Sequence, residues 1–323
     1  KPLQRRETAR LLVLRLAQKE LSHATINDLP DLLCAGDLLV RNQSRVLPAR
    51  LIGRRAKHDS RGGGRVEGLY LKTASDGRWR VLLSASGRLQ LGESLSLEGP
   101  NGDSMNIELV ERDQEGWWVQ PETAQPAALA LDRIGHTPLP PYILRARASR
   151  HEHVDDQDDR IWYQTQFASP TDAGSVAAPT AGLHLTQDVL KRCAQSGIDH
   201  ASITLHVGEG TFRPVSTARL EDHPMHSESW SVDAAGAARL AQGPMSGGRV
   251  VAVGTTTVRT LESLPVDFDG QPIAGATELM ISPPYTFRWV DALLTNFHLP
   301  RSTLIALVAA MAGLEFTLDA YRY

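Results

Sequence analysis

The chain is poor in cysteine, in aromatic residues and in long apolar runs, and each shortage removes a class of protein. Its two cysteines, Cys34 and Cys193, stand far apart, so neither a Cys-x-x-Cys redox pair nor a zinc knuckle can form locally. A reducing compartment, the cytoplasm, fits that usage best. The longest apolar stretch, Leu304 to Met311 with its flank, is far short of the roughly 18 residues expected of a membrane span, and no secretory signal is visible. Neither sign of charge dominates: 34 Lys and Arg stand against 37 Asp and Glu, a formal net charge of -3. That excludes a uniformly basic nucleic-acid coat while leaving room for a local patch. No Gly-x-Gly-x-x-Gly loop follows a first strand, which argues against a methyltransferase.

What remains is an ordinary globular composition, 41% hydrophobic and 22% charged over 323 residues, long enough for two domains. Leu11 to Leu16 and Leu38 to Val40 read as strands with a short helix near Asn27 and Asp28 between them, the start of a mixed α/β layer. From Leu51 to Val119 the texture changes to short strands separated by glycine, serine and aspartate, which suggests a small barrel. A helix over Ala127 to Ile134 and a proline-rich connector, Thr137 to Tyr142, lead back to the first layer. The acidic run Asp155 to Asp159 reads as a solvated loop rather than a metal site, because carboxylates in a flexible run do not converge. Beyond Ile161 strands and helices alternate, with helices over Gln187 to Gln195, Ala234 to Gln242, Val258 to Leu264 and Ser302 to Ala312. The expected fold is therefore a large mixed-sheet α/β or α+β domain, residues 1–50 and 120–323, with an inserted β-barrel domain, residues 51–119.

Five polar, glycine-rich segments each follow or adjoin an apolar strand. The first is Gly174 to His184, containing Pro179-Thr180-Ala181-Gly182-Leu183-His184, ahead of a helix that Thr186 can cap. The others are His206-Val207-Gly208-Glu209-Gly210-Thr211-Phe212, His223-Pro224-Met225-His226-Ser227-Glu228, Val253-Gly254-Thr255-Thr256-Thr257-Val258-Arg259 and Thr295-Asn296-Phe297-His298-Leu299-Pro300. A single histidine beside a strand end is commonly a satisfied structural residue; the clustering of His184, His206, His226 and His298 with Glu228 is what makes them catalytic candidates. Small residues at Thr180 and Gly182 let the backbone approach a ligand. The Thr255-Thr256-Thr257 turn suits a carboxylate or phosphate, with Arg259 either its clamp or a surface ion-pair partner. Gly208, Gly210 and Thr211 would form a turn that could close over a ligand with Phe212 stacked on it, unless Phe212 belongs to the core. Asn296 could read a base edge or cap a helix. His223, His226 and Glu228 do not share one face, so no metal is expected.

These segments, in this order, resemble the S-adenosylmethionine:tRNA ribosyltransferase-isomerase family of queuosine biosynthesis over nearly the whole length. Asn42 to Val46 with Pro48 to Arg50, and Pro138 to Ile143, add weaker matches, while Arg41, Gln43, Leu185 and Pro284 depart from the usual pattern. The resemblance implies a mixed-sheet domain with an inserted barrel. It also implies a transferase-isomerase that moves the ribosyl group of S-adenosylmethionine to a 7-aminomethyl-7-deazaguanine wobble base in tRNA, gives epoxyqueuosine and releases adenine and methionine. S-adenosylmethionine is then a consumed substrate, no cofactor is needed, and the partner is the tRNA, with no membrane, no obligate protein partner and a monomeric enzyme. Arg45, Arg50, Arg54 and Arg55 are the expected tRNA contacts. The departures motivate an alternative, the same donor chemistry on a small amine or another nucleoside. A further alternative is a binding protein without catalysis, against which the retention of all five segments speaks.

Overall fold

In the computed structural model, residues 5–323 are described, apart from 57–62, 115, 153, 209–216 and 218. In chain order the elements begin with β1 (Arg10–Arg15), β2 (Glu20–Thr25), α1 (Leu29–Leu32) and β3 (Leu38–Asn42). Next come β4 (Arg45–Val46), β5 (Arg50–Arg55), β6 (Arg65–Thr73), β7 (Trp79–Ala85), β8 (Ser94–Glu98), β9 (Ser104–Asp113) and β10 (Gly116–Pro121). They are followed by α2 (Ala127–Ile134), α3 (Pro141–Ser149), α4 (Asp156–Trp162) and β11 (Ala173–Ser175). The remainder is α5 (Gln187–Gln195), β12 (Asp199–Leu205), β13 (Glu228–Val232), α6 (Ala234–Gln242), β14 (Val250–Val253), α7 (Thr255–Glu262), β15 (Ile273–Thr277), β16 (Ala292–Leu294), α8 (Thr303–Ala312) and α9 (Leu314–Arg322).

The chain divides into two compact units, one of Lys1–Ser44, Thr165–Asp172 and Ala178–Tyr323, the other of Arg45–Gln164 and Ala173–Ala177. The first holds a six-stranded sheet in the order β15-β13-β12-β3-β14-β16. Its centre is parallel, Asp199 to Ile203 pairing with Leu38 to Asn42 and Val250 to Val253 with Leu38 to Arg41, while β13 and β15 run antiparallel at one edge. Parallel strands covered on both faces are apolar along their length, and Leu38, Leu39, Val40 and Val250 to Val253 are all buried. Thr186 caps α5 by accepting from the Val189 N–H, and the buried stripe Val189, Leu190 and Cys193 packs with Leu39, Val251 and Val253. α6, capped by Asp233, crosses β12 so closely at Gly236 that a Cβ there would lie 2.4 Å from the Ser202 carbonyl oxygen.

The second unit is built on a closed antiparallel barrel, β10-β7-β6-β5-β8-β9. Alternation along the strands sends Leu51, Val66, Val81, Leu95, Leu97, Ile107, Leu109 and Val119 inward. Trp79 closes that core with its ring edge-on to Tyr70. Closure removes the exposed edges a small sheet would otherwise present.

The mixed-sheet domain and the inserted barrel are as the sequence implied. The barrel strands occupy Arg50 to Pro121, and the compact unit around them also takes in α2, α3 and α4. Three local expectations are corrected. β1 does not enter the main sheet; it pairs with β2 in a separate two-stranded sheet. The connector expected over Thr137 to Tyr142 ends early, because Pro141 opens α3, proline being favoured where the helical N–H is unused. The acidic run is not a solvated loop: Asp155 caps α4 by accepting from the Gln157 N–H, and the following aspartates sit at the positive end of that helix. Asp159 is buried and takes both Arg147 Nη1 and Nη2 at 2.6 Å.

Candidate functional site

The sheet order runs outward from β3 in both directions, to β12 on one side and to β14 and β16 on the other. Ligands of open α/β sheets gather where the order reverses, beyond the carboxyl ends of the strands. Those ends are where the sequence segments fall: His206 and Gly208 follow β12, Gly254 and Thr255 follow β14, and Thr295 and Asn296 follow β16. β13 is antiparallel to β12, so its first residue, Glu228, lies beside the β12 end.

Hydrogen bonds and one close backbone approach tie all five segments together. Thr180, opening a short 3-10 turn over Thr180–His184, donates from Oγ1 to Asn296 Oδ1 at 2.8 Å. Gly254, at a φ of 88°, donates its N–H to the Leu294 carbonyl at 2.8 Å, and a Cβ on it would stand 3.5 Å from that of Ala181. The Gly208 N–H donates to Glu228 Oε1 at 3.0 Å, and Glu228 Oε2 accepts from Arg259 Nη1. Arg259 also donates from Nε to the Leu279 carbonyl at 3.0 Å and from Nη2 to that of Thr277 at 3.3 Å. This guanidinium is therefore engaged in a buried pair, neither a surface ion-pair partner nor an open clamp. It fixes Glu228, which in turn fixes the backbone at Gly208.

The histidines stand in different surroundings. Burial lowers the His184 pKa, with the Arg6 charge adding to the effect. Burial also lowers that of His206, against the pull of Asp172. His298 is pushed down to about 4 by burial; its backbone N–H donates to the Tyr321 hydroxyl at 2.8 Å and its Nε2 lies 3.5 Å from Thr295 Oγ1. Nδ1 of His206, His223 and His298 is buried without a hydrogen-bond partner among the described residues. His226 lies in the extended segment entering β13. No group of three or more His, Cys, Asp or Glu among the described residues is placed to hold a metal. Of the expected ligand contacts, Gly182 packs against Phe167 so tightly that a Cβ would come within 2.7 Å of its ring. Gly210, Thr211 and Phe212 lie outside the described residues.

Asn42 was not named as a site residue from the sequence, although a polar pair, Arg41 and Asn42, ending the apolar run Leu38 to Val40 is a visible signal. It is buried and joins β3, β12 and α7 through its side-chain amide. Beside Thr295, Asn296 and His184 a cleft of about 700 Å³ opens, lined elsewhere by β1, α8 and α9. Of the departures from the family pattern, Leu185 is buried, Arg41 and Gln43 are partly buried and Pro284 is exposed. Arg41, its pKa lowered to about 10 by burial, lies 4.6 Å from the Phe167 ring centre. Gln43 reaches Asp233 Oδ2 at 3.3 Å, Leu185 is fully buried, and the Pro283-Pro284 bond is cis.

The arginines expected to meet tRNA sit in the barrel unit. Arg50, Arg54 and Arg55 lie along β5 and face Glu67 at 3.0 Å, Glu98 at 3.4 Å and Glu93 respectively, while Arg45 is exposed on β4. No single helix among the described residues is long and apolar enough to cross a membrane; α8 and α9 reach that composition only together, across a 112° bend.

Residues 1–323 match the family described as Queuosine biosynthesis protein. A Pelobacter propionicus protein named S-adenosylmethionine:tRNA ribosyltransferase-isomerase is 43% identical over 326 residues, covering 99% of this chain and 89% of that protein. An Anaeromyxobacter dehalogenans protein of the same name is 45% identical with the same coverage. Among solved structures, the S-adenosylmethionine tRNA ribosyltransferase of Thermotoga maritima is 28% identical, with a TM-score of 0.50 over 100% of this chain and 88% of that one.

Proposed function

The chain belongs to the queuosine biosynthesis protein family, and we propose that it is an S-adenosylmethionine:tRNA ribosyltransferase-isomerase acting on 7-aminomethyl-7-deazaguanine in tRNA. The observation that carries this reading is the meeting of five separate polar segments at the carboxyl edge of one parallel sheet. The name shared by the relatives favours a tRNA acceptor over a small amine.

The chemistry asks for few groups. The carbon beside a sulfonium is acidic, so a neutral imidazole suffices to take its proton. His184, held below its ordinary pKa by burial and by Arg6, is uncharged at neutral pH and fits that role, with His226 the second candidate. His206 and His298 are likewise kept neutral and serve as hydrogen-bonding groups rather than cations. The acceptor amine must attack uncharged, which a water-poor pocket favours. Thr255 and Thr256 receive the polar end of the donor, Thr180 and Asn296 bind at the β16 side, and the Glu228 and Arg259 pair holds Gly208 in place. S-adenosylmethionine is consumed, so no resident cofactor enters. The enzyme works as a cytoplasmic monomer, with Arg45, Arg50, Arg54 and Arg55 meeting tRNA phosphates.

The test is to incubate the protein with S-adenosylmethionine and tRNA carrying the aminomethyl base, against unmodified tRNA, following adenine and the nucleoside mass. Adenine release matched by gain of the rearranged ribosyl group, on the modified tRNA alone, is the expected result. Turnover on small amines with none on tRNA would replace the acceptor.

A further inference from the structure

We infer that Asn42 is a positioning residue that makes the Thr256 hydroxyl a hydrogen-bond donor toward S-adenosylmethionine; this rests on the function proposed above. The backbone ladder between β3 and β12 ends where the Gln43 N–H donates to the Ile203 carbonyl at 2.8 Å. The Asn42 side chain continues it: Oδ1 accepts from the Leu205 N–H at 3.1 Å and Nδ2 donates to the Leu205 carbonyl at 3.0 Å. Oδ1 also accepts from the Ser44 N–H at 3.0 Å. These backbone partners fix which end of the amide is oxygen, because a flipped amide would set donor against donor and acceptor against acceptor.

With that orientation imposed, the second Nδ2 hydrogen points at Thr256 Oγ1, 3.3 Å away. A hydroxyl that accepts there keeps its single hydrogen for another partner. Among the described residues no acceptor takes it. The neighbours differ: Thr257 spends its hydroxyl on the Val253 carbonyl at 2.7 Å and is fully buried, as is the Thr260 hydroxyl bonded to the Thr256 carbonyl at 3.1 Å. Thr256 is only partly buried, at the strand end where the five segments meet. Its O–H is thus a donor with a set direction, suited to a carboxylate or ribose oxygen of the substrate.

Calorimetric titration of the full chain with S-adenosylmethionine and with 5'-methylthioadenosine, which lacks the carboxylate, tests this. Thr256→Val should weaken S-adenosylmethionine binding about 10- to 100-fold, while Thr256→Ser, which keeps the hydroxyl, restores it to within about threefold. Asn42→Asp presents an acceptor where the amide donates, draws the Thr256 hydrogen to itself, and should lose binding to a similar extent. The double variant should then be no worse than either single one, since both remove the same donor. Asn42→Ser takes the place of Asn42→Asp if the latter does not fold. A loss confined to S-adenosylmethionine assigns the acceptor to the carboxylate, and an equal loss on the nucleoside assigns it to the ribose. Unchanged binding by Thr256→Val, or losses that add and follow the melting temperature, would reduce Asn42 to a brace and overturn the inference. Wild-type protein that binds S-adenosylmethionine but leaves tRNA unmodified sinks the proposed acceptor, and the titrations still decide the role of Asn42.

Discussion

The barrel and the carboxyl edge of the mixed sheet use polar residues in opposite ways. In the barrel unit several cationic side chains on or beside the strands face carboxylates nearby: Arg50 with Glu67, Arg54 with Glu98, Arg55 with Glu93, Arg78 with Asp76 and Glu111, and Arg80 with Asp113. At the sheet edge, imidazole nitrogens of His206 and His298 are withdrawn from water without a partner among the described residues. Buried polar groups are ordinarily satisfied, and on the function proposed above these nitrogens are where a ligand would be received.

Perturbing the barrel core should give the largest loss of stability and the smallest direct effect on chemistry. Trp79→Ala, at a site 2% exposed, is expected to cost about 3–5 kcal/mol, seen as a lower denaturation midpoint, with S-adenosylmethionine affinity of the folded protein unchanged. A large fall in that affinity would break the division between the two regions. At the sheet edge, Glu228→Gln leaves the Arg259 charge buried against a neutral partner, and removing one member of such a pair costs roughly 3 kcal/mol. Unlike the barrel variant it should also weaken S-adenosylmethionine binding, because Gly208 loses its anchor; stability loss without a binding change would make the pair structural only.

A pH titration sharpens the same contrast. His298 has a folded pKa of about 4, below the ordinary 6.5, so the unfolded chain binds the extra proton first. Its contribution is present above pH 6.5 and is lost as the pH falls toward 4, at most about 3 kcal/mol for a shift of this size. Melting wild type and His298→Gln across that window should show the wild type losing stability relative to the variant as acid is added. A pH-independent difference between them would mean that His298 is not held neutral by burial. The smallest effect is expected at the barrel surface: Arg54 and Glu98 are well exposed, and breaking such a pair changes stability by less than about 1 kcal/mol. Arg54→Ala should instead weaken tRNA binding and reduce its salt dependence by about one charge; identical salt slopes would remove Arg54 from the tRNA surface.

Local physics explains what was legible. The bounds of α5 and α6 follow from Thr186 and Asp233 as caps and from apolar spacing, which neighbours in sequence supply. The barrel was visible from its alternation and turns. α7 starts three residues earlier than expected at Val258, because β-branched threonines are poor helix formers in isolation. In the fold, Thr257 bonds the Val253 carbonyl and Gly254 supplies the turn. The acidic run misled for a related reason: Asp159 is stabilised inside by Arg147, twelve residues away, not by anything adjacent.

The sequence by itself determined the five polar segments, the two-part plan and the chemical kind of the site, because side-chain type, periodicity and capping act over a few residues. Only the tertiary structure decided that Arg259 pairs with Glu228 inside the protein, that Arg50, Arg54 and Arg55 belong to barrel ion pairs, and that Asn42 meets a hydroxyl 214 positions further along. Those roles are set by partners that strand pairing, parallel in the sheet centre and antiparallel in the barrel, brings together from distant parts of the chain. No local pattern encodes which donor will meet which acceptor there.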